Sequence, residues 1–422
     1  MQPDTIKKET SCMDDHDPAS LPADVALKKI ISAIEPVTSM EKVAIRTALG
    51  RILAEDIIST INVPSGTNSA MDGYAITSAD IPSTGTAELK MMGTAYAGKP
   101  FSGKVSSGEC VRIMTGAIMP SGSDTVVMQE HVEHRHGSIR IDTDTKAGAN
   151  VRQAGEDVTK GDVVLGKGTT LTPADIGLIA SLGLAEVNVS RRLRVAFFST
   201  GDELKSIGQP LEDGQIYDSN RYTLYGMLAR LGVEIIDMGV ICDDRTALQN
   251  GFEQAAAKAD VLITSGGVSV GEADYVKEIL EKVGTVNFWK VAMKPGRPLA
   301  FGKINNTWFF GLPGNPVSVM VTFYQFVQPA LLYLMGARHI EPFTFKVLCK
   351  SRLKKRPGRT EYQRGILGCD GSGQLVVEKT GGQGSGILSS MAQANCFIIL
   401  PTDSGNVESG SIVDVQPFFG LV

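Results

Sequence analysis

The sequence predicts a multi-domain α/β protein. It should have a central doubly wound, mostly parallel sheet domain, an inserted β-rich domain, a discontinuous helical linker domain and a small C-terminal β-barrel. Three observations carry this. Between Arg194 and Met335, short apolar runs alternate with segments of helical periodicity, the pattern of parallel strands joined by crossover helices. From Ile57 to about Glu156, and again after Pro342, short β-prone runs alternate instead with Gly, Pro and Ser turns. At 422 residues the chain has room for roughly two to four domains.

Each element follows from a local pattern. Met1 to about Ser20 is polar and aperiodic, and a disordered tail (1–20) is expected. Leu27, Ile30, Ile31 and Ile34 share one face of a first helix that stops at Pro36, and a second short helix is expected around Ala48–Glu55. The β-rich unit (59–157) contains the runs Cys110–Met114, Thr125–Gln129 and Ser138–Ile141. Thr172-Pro173 then opens a helix with a capping hydroxyl and a proline at its first position, and the helix ends at Gly183. Its likeness to the first helix suggests that residues 21–58 and 158–190 pack together as a linker domain around the insert.

The α/β domain (191–340) begins with strand Val195–Ser199 and the loop STGDE. A helix capped by Ser219 carries Leu224, Met227, Leu228 and Leu231, and strand Val233–Ile241 ends at Cys242-Asp243-Asp244. After a helix with Leu248, Phe252 and Ala255, a strand opening at Val261 leads to a glycine turn. Glu272 and Asp274 open the next helix, whose Val276, Ile279, Leu280 and Val283 stand at i, i+3, i+4 and i+7 before Gly284. Strands Val286–Met293 and Trp308–Gly311 run into KPGRP and LPGNP, and a long helix covers about Val317–Met335. Five further runs (Phe343–Cys349, Thr360–Leu367, Leu375–Glu378, Cys396–Leu400, Ile412–Val415) complete a barrel within 341–422.

Composition excludes several function classes. Hydrophobic residues make up 42% and charged residues 21%, the balance of an ordinary globular protein. A net charge of −5 argues against a general nucleic-acid binder, so an anionic ligand needs a local basic cluster. Six scattered cysteines without a C-x-x-C pair suit reduced thiols in a cytosol. The tract His131–His136 has no metal-ligand spacing and suits a polar hairpin end. No apolar run approaches the ~20 residues of a membrane span, and no signal-peptide core precedes the first helix. The expectation is a cytoplasmic protein acting on neither nucleic acid nor membrane.

In open parallel sheets, ligands bind outside the carboxyl ends of the strands. Five loops are therefore expected on one rim: Thr200–Glu203, Asp243-Asp244, Ser265–Asp274, Lys294–Pro298 and Pro313–Pro316. Glu203, Asp243 and Asp274 supply carboxylates, while Lys294, Arg297 and the glycine turns supply positive charge and N–H donors. That combination suits a divalent metal bridging phosphates. The 265–274 loop is not a Walker A sequence, since no Gly-Lys-Ser/Thr follows. A nucleophilic triad is not expected, because His339 is the only histidine after His136. Lys290 and Lys294 have the same parity on one expected strand, roughly 13 Å apart. Taken singly, each acid also fits a helix cap and Lys290 a solvated strand residue. Asp72, Thr115 and Asp157 lie in turns of the β-rich unit, where an Asx or hydroxyl cap is the plainer reading.

The motifs NSAMDGYA, RIMTGA, GED, STGDEL, IYDSN, TSGGVSVGEADY, FWKVAMKPGRP, GLPGNPVS and QGSG occur in this order from Asn68 to Gly386. With them the chain closely resembles the bacterial MoeA proteins, molybdopterin molybdenumtransferases, and the E domains of gephyrin and its plant counterpart. The resemblance implies a homodimer of four-domain subunits with a molybdopterin-binding α/β domain, its rim site completed by the β-rich domain of the other subunit. It implies a reaction of adenylyl-molybdopterin and molybdate, with Mg²⁺, giving molybdenum cofactor and AMP. Asp274, Asp243 and Glu203 match acids thought to serve Mg²⁺ and pyrophosphate. Lys290 and Lys294 match a basic pair, Asp72 and Thr115 match important positions in the partner-facing β-rich domain, and Asp157 matches the GED acid, all of them implied catalytic residues. The implied substrate-binding set is Ser265, Gly266, Gly267, Ser269, Gly271, Asp218, Ser219, Arg297, Pro313, Gly314, Asn315, Pro316 and Ser385, with Arg359 or Arg364. Two positions depart from the pattern: Thr67, where many relatives carry an acid, and Arg297, where close relatives often carry Lys. Implied protein partners are the molybdopterin adenylyltransferase and molybdoenzyme maturation proteins. Two other functions fit part of the resemblance: a molybdopterin adenylyltransferase, whose fold the α/β domain resembles, and a gephyrin-like scaffold.

Overall fold

The computed structural model describes residues 20–267 and 275–418. The expected tail lies outside the described residues. The chain divides into two compact units, one containing the described residues up to Glu41, Gly50–Ile52 and those from Ser190 onward, the other Lys42–Leu49 and Leu53–Val189.

The first unit opens with α1 (Ala23–Ala33), whose face Ala26 and Ile30, continued by Ile34, is fully buried. In the second unit, strands β1 (Gly73–Ile76), β2 (Ala87–Ala95), β3 (Glu109–Ile113), β4 (Thr125–Met128), β5 (Glu133–Arg135) and β6 (Ser138–Ile141) form one sheet, ordered β4-β1-β3-β2-β6-β5. Tyr74, Ile76 and Val127 are buried on one face and Ala75, Val111 and Val126 on the other, so apolar residues are needed at both parities. β5 and β6 pair as a hairpin, which makes the histidine tract a hairpin end.

One local expectation differs from what forms here. No helix spans 48–55: Ile45–Thr47 is a single 3-10 turn, Gly50 at φ 72° redirects the chain, and Leu53 bridges Val189. Leu53 and Ile57 share a core with Ile179 and Leu182 at helix α2 (Pro173–Ser181). Helix α1 serves a core within the first unit. Ala26, Ile30 and Ile34 belong to the core built on Phe323, Phe326 and Leu331, because that larger apolar surface needs a cover.

The α/β layer consists of β7 (Arg194–Thr200), α3 (Ser219–Arg230), β8 (Glu234–Ile241), α4 (Arg245–Lys258), β9 (Val261–Ser265), α5 (Tyr275–Val283) and β10 (Gly284–Lys290). β11 (Met293–Lys294), β12 (Pro298–Ile304), β13 (Thr307–Leu312) and helix α6 (Pro316–Leu334) follow. The sheet order is β8-β7-β9-β13-β12-β10, with β12 antiparallel to its neighbours and the other five strands running one way. Alternate residues feed two cores. Val195, Phe197 and Ile263 face α1, α3 and α6, while Ala196, Phe198 and Leu262 face α4 and α5. The sheet is thus doubly wound, as expected.

β12 is an addition to the sequence reading, and the single strand Val286–Met293 divides. Val291 donates to the Arg297 carbonyl and Ala292 to the Leu21 carbonyl, so the chain leaves the sheet after Lys290. β11 pairs instead with Thr360 and Glu361 of the barrel. Lys290 and Lys294 therefore lie on strands of different sheets, and the parity argument for them does not hold. α6 contains a π-helical stretch at Phe323–Val327 before Pro329, which has no N–H for a regular bond to the Gln325 carbonyl. This 19-residue helix is long and apolar enough to cross a membrane, and most of it is buried in the protein.

β14 (Phe345–Cys349), β15 (Thr360–Cys369), β16 (Leu375–Lys379), helix α7 (Leu388–Gln393), β17 (Cys396–Leu400) and β18 (Ser411–Pro417) form the last region. The order β15-β16-β14-β18-β17 closes through β15–β17 pairing, giving the expected barrel with five strands. It packs within the first unit.

Candidate functional site

The five parallel strands all end at one rim, and the described residues of their loops face the barrel across a cavity of about 1640 Å³. This exceeds the roughly 300–1,000 Å³ of common small-molecule sites, so there is space for a large ligand together with a small one. Asn220, in the first turn of α3, ties the rim together. Its Nδ2 donates to Ser265 Oγ at 2.8 Å and to the Gly314 carbonyl at 2.6 Å, linking the start of α3 to the loops after β9 and β13. It ends the IYDSN motif, but nothing in the sequence assigned it a role. Gly266 sits at φ 92°, and a Cβ there would stand 2.4 Å from the Thr200 carbonyl, so this turn requires glycine. Gly267, Pro313, Asn315 and Pro316 line the same wall, and Ser265 is buried in it.

The acids separate by role. Asp218, not Ser219, is the N-cap of α3, accepting from the Arg221 N–H at 3.1 Å. Its other oxygen is buried without a hydrogen-bond partner among the described residues, and both Asp218 and Ser219 line the cavity. Asp244 caps α4. Glu203 and Asp243 cap no helix. They cluster with Asp202, whose Oδ1 accepts from the Asp243 N–H at 3.4 Å. Burial and the charges of Asp202 and Glu203 raise the Asp243 pKa. All-oxygen donors that repel one another in this way fit a hard divalent cation. Among the described residues, no three His, Cys, Asp or Glu side chains already converge to metal-holding distance. Ser269, Gly271, Glu272 and Asp274 lie outside the described residues.

Cations converge from two walls. Lys290, Lys294 and Arg297 come from the rim. Lys294 is held at 3.4 Å by Glu361, a buried barrel carboxylate whose second oxygen accepts from Gln363. From the barrel come Arg352, Lys354, Lys355, Arg356 and Arg359, and of these only Arg359 belongs to the predicted set. The missed signal was the charge run KKRPGR itself, in a chain of negative net charge. Ser385 lines the cavity, and its carbonyl accepts from the Val317 N–H in the first turn of α6 at 3.1 Å. Arg364 is not on the wall. It is 1% exposed, burial pushes its pKa down to about 10, and its guanidinium donates to Ser390 Oγ and to the Gly382 and Gly384 carbonyls. It shapes the loop that carries Ser385.

Asp72, Thr115 and Asp157 belong to the second unit. The structure brings the first two together: Asp72 Oδ1 accepts from Thr115 N at 2.7 Å and Thr115 Oγ1 at 2.8 Å, and these bonds lower the Asp72 pKa. Asp157 follows a separate turn, its N–H donating to the Val63 carbonyl. Thr67 Oγ1 stands 3.5 Å from Gln153 Oε1.

Comparisons with known proteins cover the whole of this architecture. Residues 21–183 match the MoeA N-terminal region (domain I and II), 196–333 a probable molybdopterin binding domain, and 346–418 the MoeA C-terminal region (domain IV). A molybdopterin molybdenumtransferase of Haemophilus influenzae is 48% identical over 95% of this chain and 100% of its own. Gephyrin of Dictyostelium discoideum is 36% identical over 93% of this chain and 61% of its own. The crystal structure of the molybdopterin biosynthesis moeA protein from Pyrococcus horikoshii OT3 covers 94% of this chain and 100% of its own, with 31% identity and a TM-score of 0.83.

Proposed function

This chain belongs to the MoeA family of molybdopterin molybdenumtransferases, transferases of molybdenum cofactor biosynthesis, and we propose that its rim cavity is the site where molybdate is inserted into adenylyl-molybdopterin with release of AMP. The observation that carries this reading is the meeting of strand-end glycine loops and a cationic barrel wall around one large cavity. Backbone N–H groups of Gly267, Gly314 and Asn315, with Lys290, Lys294 and Arg297, would hold the pyrophosphate link. Arg359 and Ser385 would receive molybdate as the second substrate. Glu203, Asp243 and Asp274 would hold Mg²⁺, which when bound supplies Lewis-acid stabilisation of charge on the phosphates. Lys294, fixed by Glu361, keeps a positive charge at a set place and spares the site that reorganisation during reaction. The proposal includes a homodimer in which Asp72, Thr115 and Asp157 of one copy serve the other, a cytoplasmic setting, and the partners named above.

The test is turnover of purified protein with adenylyl-molybdopterin, Mg²⁺ and molybdate. AMP release that depends on molybdate is expected, and Asp274→Asn should lose it while keeping the fold. Consumption of ATP without release of AMP from adenylyl-molybdopterin would assign the cavity to adenylyl transfer instead. A fully active Asp274→Asn protein would remove that residue from the reaction.

A further inference from the structure

Residues 350–359 read KSRLKKRPGR, with Lys350, Arg352, Lys354, Lys355, Arg356 and Arg359 and no acid, in a chain of net charge −5. All of these cations except Lys350 line the barrel side of the cavity. A charge run of this kind is ordinarily a solvated loop, but this one is pinned along its length. Leu353 and Val407 exchange both backbone bonds, at 2.8 and 2.9 Å. Lys355 N donates to Asn406 Oδ1 at 2.9 Å, Gly358 N to the Thr402 carbonyl at 2.8 Å, and Gln363 Nε2 to the Lys354 carbonyl at 3.0 Å. Lys355 is 4% exposed, and its ammonium donates to the carbonyls of Arg356 at 3.0 Å and Ser404 at 3.2 Å. One cation is thus buried in holding the strip in shape. Arg352 is tied to Glu408 at 3.1 Å, and Lys354 and Arg356 are exposed.

We infer that this rigid strip is an electrostatic guide, in which Lys354 and Arg356 draw a polyanion bearing phosphate-type groups into the cavity and take no part in the reaction. The proposed substrate enters only in the identity of that polyanion. Fixed charges along a cleft with low-dielectric walls focus the field and raise association rates by about 10- to 10³-fold. Because the net charge of the chain is negative, the attraction must be local. It should also be short-ranged, with a screening length of about 30 Å at 0.01 M salt and about 3 Å at 1 M.

The experiment measures stopped-flow association of inorganic pyrophosphate, and kcat and kcat/KM for adenylyl-molybdopterin, with the full-length protein across that salt range. The Lys354→Gln/Arg356→Gln double variant should bind pyrophosphate about 10-fold more slowly than wild type at low salt, match it at high salt, and keep its kcat. Charge reversal, Lys354→Glu/Arg356→Glu, should deepen the low-salt loss. Equal rates at low salt, a reversal no worse than neutralisation, or a fall in kcat as large as that in kcat/KM would each overturn the guide. The pyrophosphate arm reads binding without turnover, so it decides the inference even if the proposed reaction is absent.

Discussion

Arg364 takes a charge into the barrel and spends it on carbonyls rather than on a carboxylate. Its planar fork reaches Ser390 and the 382–384 loop together, and that loop delivers Ser385 to α6. Lysine keeps the charge but has no fork. Arg364→Lys should therefore leave at least one of its acceptors, the buried Ser390 Oγ or a loop carbonyl, without its donor, cost about 1 kcal/mol, lower the urea midpoint and raise KM for molybdate in the proposed reaction. An unchanged midpoint and KM would remove this support role. At this scale, residue type was legible in the sequence but role was not. Asp218 and Asp243 both follow β-like runs. One became a cap and the other joined an acidic cluster, because the helix start is set to within a residue only by the packed structure. Arg359 and Arg364 were interchangeable in the sequence, and burial separates them.

The start of α2 is a reciprocal cap: Thr172 Oγ1 accepts from the Asp175 N–H, and Asp175 Oδ2 accepts from the Thr172 N–H at 2.8 Å. Thr172→Ala should cost about 1 kcal/mol and speed hydrogen exchange of the Asp175 and Ile176 amides. Unaltered exchange would show that packing alone holds this turn. The Thr-Pro pair made this element legible, since capping is local chemistry. The break between β10 and β11 was not legible. Residues Val286–Met293 look like one strand, but backbone bonds from Val291 and Ala292 go to partners six positions ahead and far upstream, and the barrel edge takes Met293 and Lys294. The helix expected at 48–55 failed for the same reason: Leu53 and Ile57 serve a non-local core.

In the first unit, Asp260 joins the start of β7 to the α4–β9 connection. Arg191 donates to both its oxygens at 2.6 and 2.9 Å, and Arg194 donates through its backbone and its guanidinium. Burial pushes the Asp260 pKa up, but these bonds outweigh it and bring the carboxyl down to about 2 from its ordinary 3.8. With the folded value below the unfolded one, the stabilisation is full above about pH 4 and disappears as pH falls through about 2; it amounts to about 2 kcal/mol. Asp260→Asn should therefore lower the thermal midpoint at neutral pH and flatten its decline between about pH 4 and 2. A variant as stable as wild type at pH 7 would show that the clamp is neutral.

By itself the sequence determined the doubly wound layer, the barrel and the strand-end loops, because periodicity, caps and turn residues are local and strand ends in a parallel sheet share a rim. Its ordered motifs also indicated the family. Only the tertiary structure decided that Asn220 clasps the rim, that Arg364 lies inside the barrel, and that a run of cations faces the cavity. Those facts depend on which distant segments meet, and neither a side chain's type nor its spacing encodes its partner across the fold.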